Sequence, residues 1–346
     1  MEAAGSHPVR FTWTKALFGK YDLVHFHWPE HLFVASTVLK RVPKVLAGAI
    51  FLVRLLAFRV PIVLTQHNLA AHEETPGYVR FLTSRLERMI DVRIYLNESP
   101  ENDPDLGVVI LHHVYPRTPE EARIAGRQPT ITTFGSLRPY KGIEGLVSAF
   151  GEAKASRRIS TEARLTIVGQ ASSPEYAATI SQMTEACPGA SFRPGYIDEP
   201  ALEALILEST AVALPYKSMY NSGAAILALG LGARILIPSS PSTEALKREF
   251  PEAVSTYKGT PSSADVAAIL SQQAGASVDA GPFRRRRSLE TVGRLHADLY
   301  SVLGRLPRWW TRQRRRQSTI AEIRRSFRFR SHSQRNAVPS VTERHS

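Results

Sequence analysis

Two cations three residues apart, Arg138 and Lys141, follow an apolar run that ends at Gly135. Arginine offers a planar fork of donors and lysine a compact point charge, so the pair can grip one anion in two ways. Gly142 then permits the backbone turn into the next helical pattern. Further along, Asn221-Ser222-Gly223 precedes the apolar run Ala224–Leu231. Asn or Ser caps a helix well, and a glycine in the first turn lets a phosphate approach the N–H groups at the positive end of the helix dipole. Both features point to the binding of a phosphorylated ligand.

A second set of chemistry-bearing residues lies in the first half. His25 and His27 alternate along a strand-like run and so share one face. Trp28 and Glu30 follow, and His67 ends another apolar run. His72 and Glu73 make a further local cluster. These histidines sit at different strand ends without metal-ligand spacing, so no zinc site is expected. The single cysteine, Cys187, excludes an internal disulfide and gives no sign of an oxidising compartment.

These residues need a scaffold that brings strand ends together. Apolar runs rich in Val and Ile fall at Asp22–His27, Pro61–His67, Val92–Asn97, Val108–His112, Thr130–Gly135, Leu165–Gly169, Ala211–Pro215 and Ala233–Pro238. Helical spacing lies between them, as at Ile143–Ala153, Tyr176–Ala186, Pro200–Glu208 and Ser222–Leu231. Continuous apolar strands separated by helices indicate α/β architecture with parallel sheets covered on both faces. Ligands of such sheets gather at the carboxyl ends of the strands, which here hold most of the polar and aromatic residues. Pro116, Pro119, Gly126 and Pro129 mark a domain boundary, so two βα domains facing each other across a cleft are expected.

Net charge is +13 over 346 residues, and 17 arginines against four acids in residues 281–346 account for all of it. The body is thus a neutral globule with a basic end, which favours a polyanion such as an anionic membrane surface; no recognised nucleic-acid fold or stacking motif supports nucleic acid. The arginine- and serine-rich residues 306–346 are expected to be disordered, and 284–305 to form one helix. Lys40–Arg59 is apolar with basic residues interspersed. It is expected to pack behind the first sheet or to rest on anionic lipid. The opening Met-Glu-Ala-Ala-Gly reads as the last turn of a helix already under way, so the first domain is expected to lack its first βα unit.

Four blocks in the second half carry a resemblance. They are Phe134-Gly-Ser-Leu-Arg-Pro-Tyr-Lys-Gly-Ile-Glu-Gly-Leu, Leu165-Thr-Ile-Val-Gly, Gly195-Tyr-Ile-Asp-Glu-Pro-Ala-Leu, and Leu214-Pro-Tyr with Ser222-Gly-Ala and Leu229-Gly-Leu-Gly-Ala-Arg. In that order they resemble the group 1 glycosyltransferases of the GT-B fold. Tyr21-Asp-Leu-Val-His-Phe-His-Trp-Pro-Glu and Thr65-Gln-His-Asn-Leu-Ala-Ala-His-Glu are similar to the same family. The Asn-Ser-Gly-Ala form is similar to a subgroup often labelled β-mannosyltransferase.

The resemblance implies a GT-B fold of two Rossmann-like domains: an acceptor-side domain at 1–120, a nucleotide-sugar domain at 121–283, and the helix 284–305 returning to the first domain. It implies a metal-independent hexosyltransferase with no cofactor, taking a GDP- or UDP-linked sugar. Arg138, Lys141, Asn221, Ser222 and Gly223 would hold the donor diphosphate, and Gly169, Tyr196 and Ile197 would lie near the base. His67 matches the family histidine at the donor sugar, while His27 and Glu30 are candidates to deprotonate an acceptor hydroxyl. The acceptor would be a glycan or lipid-linked glycan of envelope or exopolysaccharide synthesis. The enzyme would then be cytoplasmic, at the inner face of the membrane. Met219 and Leu227 stand where many members carry glutamates. That departure leaves a non-catalytic GT-B relic or partner subunit as the alternative.

Overall fold

An apolar strand such as Ala211–Ala213 offers no polar face to water, so it must be covered on both sides. The computed structural model has two all-parallel sheets of this kind. It describes residues 7–35, 37–68, 76–115, 128–272 and 278–335. The opening residues 1–6, His72, Glu73, the 116–127 stretch and residues 336–346 lie outside that set.

The chain divides into two compact units, one drawn from Met1–Leu96, Asn102–Ile110 and Gly293–Ser346, the other from Asn97–Glu101 and Leu111–Val292. The first unit contains α1 (Trp13–Phe18), β1 (Val24–Phe26), α2 (Val38–Ala57), β2 (Ile62–Gln66), α3 (Gly77–Glu87), β3 (Val92–Tyr95) and β4 (Gly107–Val109). Its strands lie side by side in chain order. Phe33, Phe51, Leu55, Ile62, Leu86 and Ile90 fill its core.

The second unit contains β5 (Thr130–Phe134), α4 (Ile143–Ala155), β6 (Arg164–Gly169), α5 (Pro174–Glu185), β7 (Ala190–Pro194), α6 (Glu199–Glu208), β8 (Ala211–Ala213), α7 (Gly223–Gly230), β9 (Arg234–Pro238), α8 (Pro241–Glu249), β10 (Val254–Tyr257) and α9 (Ser263–Ser271). The sheet order is β10-β9-β8-β5-β6-β7. The chain builds outward from β5 to β7, then returns to the other side of β5 and builds outward again. Order therefore reverses between β5 and β8, the switch point at which such sheets bind ligands. Apolar cores lie around this sheet, one including Phe150, Leu165 and Ile180, the other Leu214, Ile226 and Ile235. Val114 packs into the second of these, so residues from Leu111 belong with this unit.

The edge strands β7 and β10 went unrecognised in the sequence. β7 is largely exposed and carries Arg193 and Pro194, while β10 buries only its terminal residues, Val254 and Tyr257. The single helix expected at 284–305 is two: α10 (Gly281–Arg286) and α11 (Leu289–Arg305). Between them Arg287 turns inward, donating from Nε to Glu249 at 3.0 Å and from Nη1 to the His112 carbonyl at 3.0 Å. Ser288 then restarts the helix by accepting from the Thr291 N–H at 3.1 Å.

A larger correction concerns the tail. Residues expected to be disordered form α12 (Arg312–Arg335), which packs on β3 and β4. The reason is Asp91, a fully buried carboxylate. Arg315 Nε donates to its Oδ1 at 2.9 Å and Arg312 Nη1 to its Oδ2 at 3.0 Å. The Ile62 N–H adds a third donor at 2.9 Å, and Arg316 donates to the Ile90 and Asp91 carbonyls at 2.7 and 2.8 Å. A composition that looks merely soluble thus contains a set of buried ion-pair partners. Breaking such a pair leaves uncompensated buried charge, so Asp91→Asn should cost about 3–5 kcal/mol of stability in urea unfolding. A loss of less than about 1 kcal/mol would show that solvent reaches these arginines.

α2 presents two apolar faces. Phe51, Leu52 and Leu55 enter the core, whereas Leu39, Val42, Leu46, Ile50 and Val53 are exposed, Leu39 at 91% and Val42 at 72%. Arg54 is drawn inward to the Tyr21 hydroxyl at 3.0 Å and to the Leu17 and Gly19 carbonyls. Among the described residues no helix is long and apolar enough to cross a membrane.

Candidate functional site

At the switch point of the second unit, the loop after β5 and the segment after β8 converge. Their approach depends on two glycines. Gly169 has φ +151°, and any Cβ there would lie 1.8 Å from the Gly135 carbonyl oxygen. The loops it brings together are linked by Leu137 N–H to Gln170 O and Ser172 N–H to Leu137 O, both at 2.8 Å. Gly169, expected near the base, thus has a packing role that fixes the backbone leading into Arg138. Gly142 has φ +63°, and a Cβ there would meet the Pro215 carbonyl at 2.2 Å. Only glycine lets the turn carrying Lys141 lie against the end of β8.

Two cations lie close together here. Lys141 Nζ sits 4.9 Å from the centre of the Tyr216 ring, and among the described residues no carboxylate pairs with it. Burial, then the nearby Arg138 charge, lowers its pKa to about 8. Arg138 itself is exposed. An ammonium half out of water beside a second cation is costly, and an entering anion offsets that cost.

Tyr216 is the residue that sequence reasoning passed over. It was visible within the Leu-Pro-Tyr block but received no role. Its ring faces Lys141, and Ser222 lies close enough to its hydroxyl to counter part of the upward pKa shift that burial causes. Ser222 caps α7 as expected, with Oγ accepting from the Ala225 N–H at 3.3 Å. The N–H groups of Gly223 and Ala224 have no acceptor within the helix, as at any helix start. Asn221 is half-buried just before the cap. A Cβ on Gly223 would come within 2.7 Å of the Tyr115 hydroxyl, so this glycine also makes room for a tyrosine. Met219 and Leu227 pack in the apolar core that also holds Tyr216, and Ser240 and Ser242 donate to the Met219 carbonyl at 2.8 and 3.0 Å. Tyr196 is exposed and Ile197 half-buried in the loop after β7, and no described hydrogen bond joins either to the cation pair.

The first unit has its own cluster, at the carboxyl ends of β1 and β2. His27 Nδ1 lies 3.0 Å from His67 Nε2, and the Trp28 ring stacks on His67 with centroids 4.6 Å apart. Burial lowers the His27 pKa, so the ring is neutral and able to accept a proton near pH 7. Glu30 falls in the turn Pro29–Leu32 and forms no described ion pair or hydrogen bond with these histidines. Among the described residues no group of three or more His, Cys, Asp or Glu is placed to hold a metal ion.

Paired Rossmann-like units, the second with a cation pair at its switch point, define a GT-B architecture. No protein-family model matches the chain. It is 30% identical over 298 residues to GDP-mannose:glycolipid 4-beta-D-mannosyltransferase of Xanthomonas campestris pv. campestris, covering 85% of this chain and 83% of that protein. Among solved structures, sucrose-phosphate synthase from Thermosynechococcus elongatus aligns with a TM-score of 0.60 at 17% identity, over 84% of this chain and 75% of the other. Anabaena HepE in complex with UDP-glucose aligns with a TM-score of 0.56 at 16% identity, over 75% and 76% of the two chains. The chain belongs to the group 1 glycosyltransferases, transferase enzymes of the GT-B fold that use nucleotide-sugar donors.

Lys141 gives this site a pH signature. A bound diphosphate favours the ammonium form, so the pKa of Lys141 is higher with ligand than without. Nucleotide binding should then take up a proton around pH 8, and affinity for GDP should fall as pH rises past that value. Calorimetric titrations in two buffers of different ionisation heat measure the uptake. Lys141→Arg, which stays charged, should abolish it; equal heats in both buffers for the wild type would refute the assignment.

Proposed function

We propose that this enzyme transfers mannose from GDP-mannose to a lipid-linked glycan in cell-envelope or exopolysaccharide synthesis. The half-buried Lys141 beside the Arg138 charge at the switch point carries this reading, and the name of the mannosyltransferase relative supports the sugar, the nucleotide and the glycolipid acceptor. Residues 121–283 serve as the donor domain and 1–120 as the acceptor domain. The 4-beta linkage in that name supports a single displacement, because a β product from an α-linked donor inverts the anomeric carbon. In that step an acceptor hydroxyl oxygen bonds to the anomeric carbon. The bond to the diphosphate oxygen breaks, and its electron pair leaves on the GDP. Arg138, Lys141 and the α7 start, with Asn221, Ser222 and Gly223, meet the charge on the leaving group. His27 takes the acceptor's proton, and His67 orients His27 or contacts the donor sugar. Glu30 is the second candidate base, and Gly169, Tyr196 and Ile197 stay assigned to the base region.

Thermal-shift measurements test the donor site. GDP and GDP-mannose should raise the melting temperature, UDP less so, and Arg138→Ala with Lys141→Ala should remove the response. A folded wild type that responds to no nucleotide would sink this reading.

The acceptor's lipid motivates a membrane contact, at the inner face of the cell membrane. The exposed face of α2 supports an anionic lipid surface as its occupant, since Lys40, Arg41 and Lys44 lie beside Leu39, Val42 and Leu46. Apolar side chains entering the interface contribute roughly 1.5–3 kcal/mol each when fully buried, and each basic residue near anionic headgroups about 1 kcal/mol. Arg312, Arg315 and Arg316, expected to help, are committed to the loop around Asp91. Leu46→Glu with Val53→Glu should abolish flotation with phosphatidylglycerol vesicles and leave thermal stability unchanged. Retained flotation would overturn the assignment. So would a change in oligomeric state without a change in flotation, which would assign the face to a second copy.

A further inference from the structure

Both ring nitrogens of His25 are engaged by hydroxyl groups. Nδ1 lies 2.6 Å from the Tyr300 hydroxyl and Nε2 2.7 Å from the Thr65 hydroxyl. Thr65 comes from β2 and is buried, while Tyr300 comes from α11, some 275 residues away in sequence. A neutral imidazole has one N–H and one lone pair, and a hydroxyl can donate or accept. Either tautomer of His25 is therefore fully hydrogen-bonded without acquiring charge. Burial pushes its pKa down to about 2, with His27, His296 and His67 adding to the effect. The result is a neutral ring that can neither titrate near pH 7 nor rotate.

The ring below determines the ring above. The His25 centroid is 4.5 Å from that of His27, at 34° between planes, and His27 continues through its 3.0 Å contact to His67. Groups facing this stack come from each neighbouring element. His67 and Thr65 belong to the β2 side, and His296 and Tyr300 to α11, with the His296 ring 5.9 Å from His25. Trp28 and His31 come from the segment after β1. A phenylalanine at 300 would fill the same space without burying a hydroxyl whose pKa desolvation raises. A buried polar cluster restricts geometry more than an apolar one does, and here what it restricts is the orientation of His27.

We propose that Tyr300 is a positioning residue for sugar transfer: with Thr65 it clamps His25, and His25 holds His27 in the orientation that accepts the acceptor's proton. This rests on the reading of His27 as base. α11 thereby contributes to the chemistry of the first unit through a residue that touches no substrate.

The test is a double-mutant cycle on GDP release from GDP-mannose with a polyprenyl-diphosphate-linked oligosaccharide as acceptor. Tyr300→Phe and His25→Asn should each lower kcat about tenfold or more and leave the KM for GDP-mannose unchanged. The double variant should be no slower than the slower single, because Tyr300 acts through His25. Independent, multiplying losses would overturn the proposal, as would a wild-type kcat in Tyr300→Phe. His27→Ala separates the two levels: full turnover there removes the base assignment itself, whereas multiplying losses with an inactive His27→Ala remove only the role of Tyr300. Should Tyr300→Phe not fold, Thr65→Val removes the other hydroxyl and carries the same expectations. Histidine ring nitrogen shifts by NMR give a readout independent of turnover. His27 should show one tautomer in the wild type and a mixture in Tyr300→Phe or Thr65→Val; an unchanged His27 signal would also overturn the proposal.

Discussion

A carboxylate sealed from water has to be met by charge, and Asp91 is met by two guanidinium groups from a single helix. Much of the first unit depends on that match. Asp91 stands at the entry to β3 and accepts from the backbone at the start of β2, so the ion pair joins two strands as well as a helix. Arg312 and Arg315 tie α12 to this point, and α12 follows α11 after only six residues. The position of α11 in turn puts Tyr300 and His296 against His25. A buried charge on one side of the sheet scaffold therefore constrains the histidine cluster at the strand ends.

The cations at the switch point of the second unit are arranged differently. Lys141 is half-buried beside the Arg138 charge, and among the described residues no carboxylate pairs with it. Tyr216 offers a π face to Lys141, and Ser222 lies near its hydroxyl. Close backbone packing at Gly142 and Gly169 holds the chain in place. An entering anion would offset the cost of burying the ammonium beside a second cation. For a transferase that is the useful sign, since the leaving group carries more charge than the bound donor.

Local chemistry was legible in the sequence wherever it was written in consecutive residues. Arg138, Lys141, Gly142 and the Ser222 cap each follow from a short pattern with a physical meaning, and the parallel sheets follow from uninterrupted apolar strands. His27 and His67 could be placed at strand ends, and parallel pairing of β1 with β2 brings them together. What stayed hidden lies far apart along the chain. The partners Asp91 and Arg315 are separated by 224 residues, and His25 and Tyr300 by 275. In composition Arg315 is one basic residue among many in a polar stretch; only the buried acid distinguishes it. The edge strands escaped notice because a strand exposed at the rim has no need of an apolar run.

Lys141 also differs chemically from an ordinary lysine. A lysine with a pKa of about 8 is substantially deprotonated under mildly alkaline conditions, where ordinary lysines remain ammonium ions. The free amine is a nucleophile. The burial that lowers its pKa thus makes it reactive toward electrophiles such as activated esters. A bound anion would restore its proton and shield it, so reactivity toward such reagents would report whether an anion is held there.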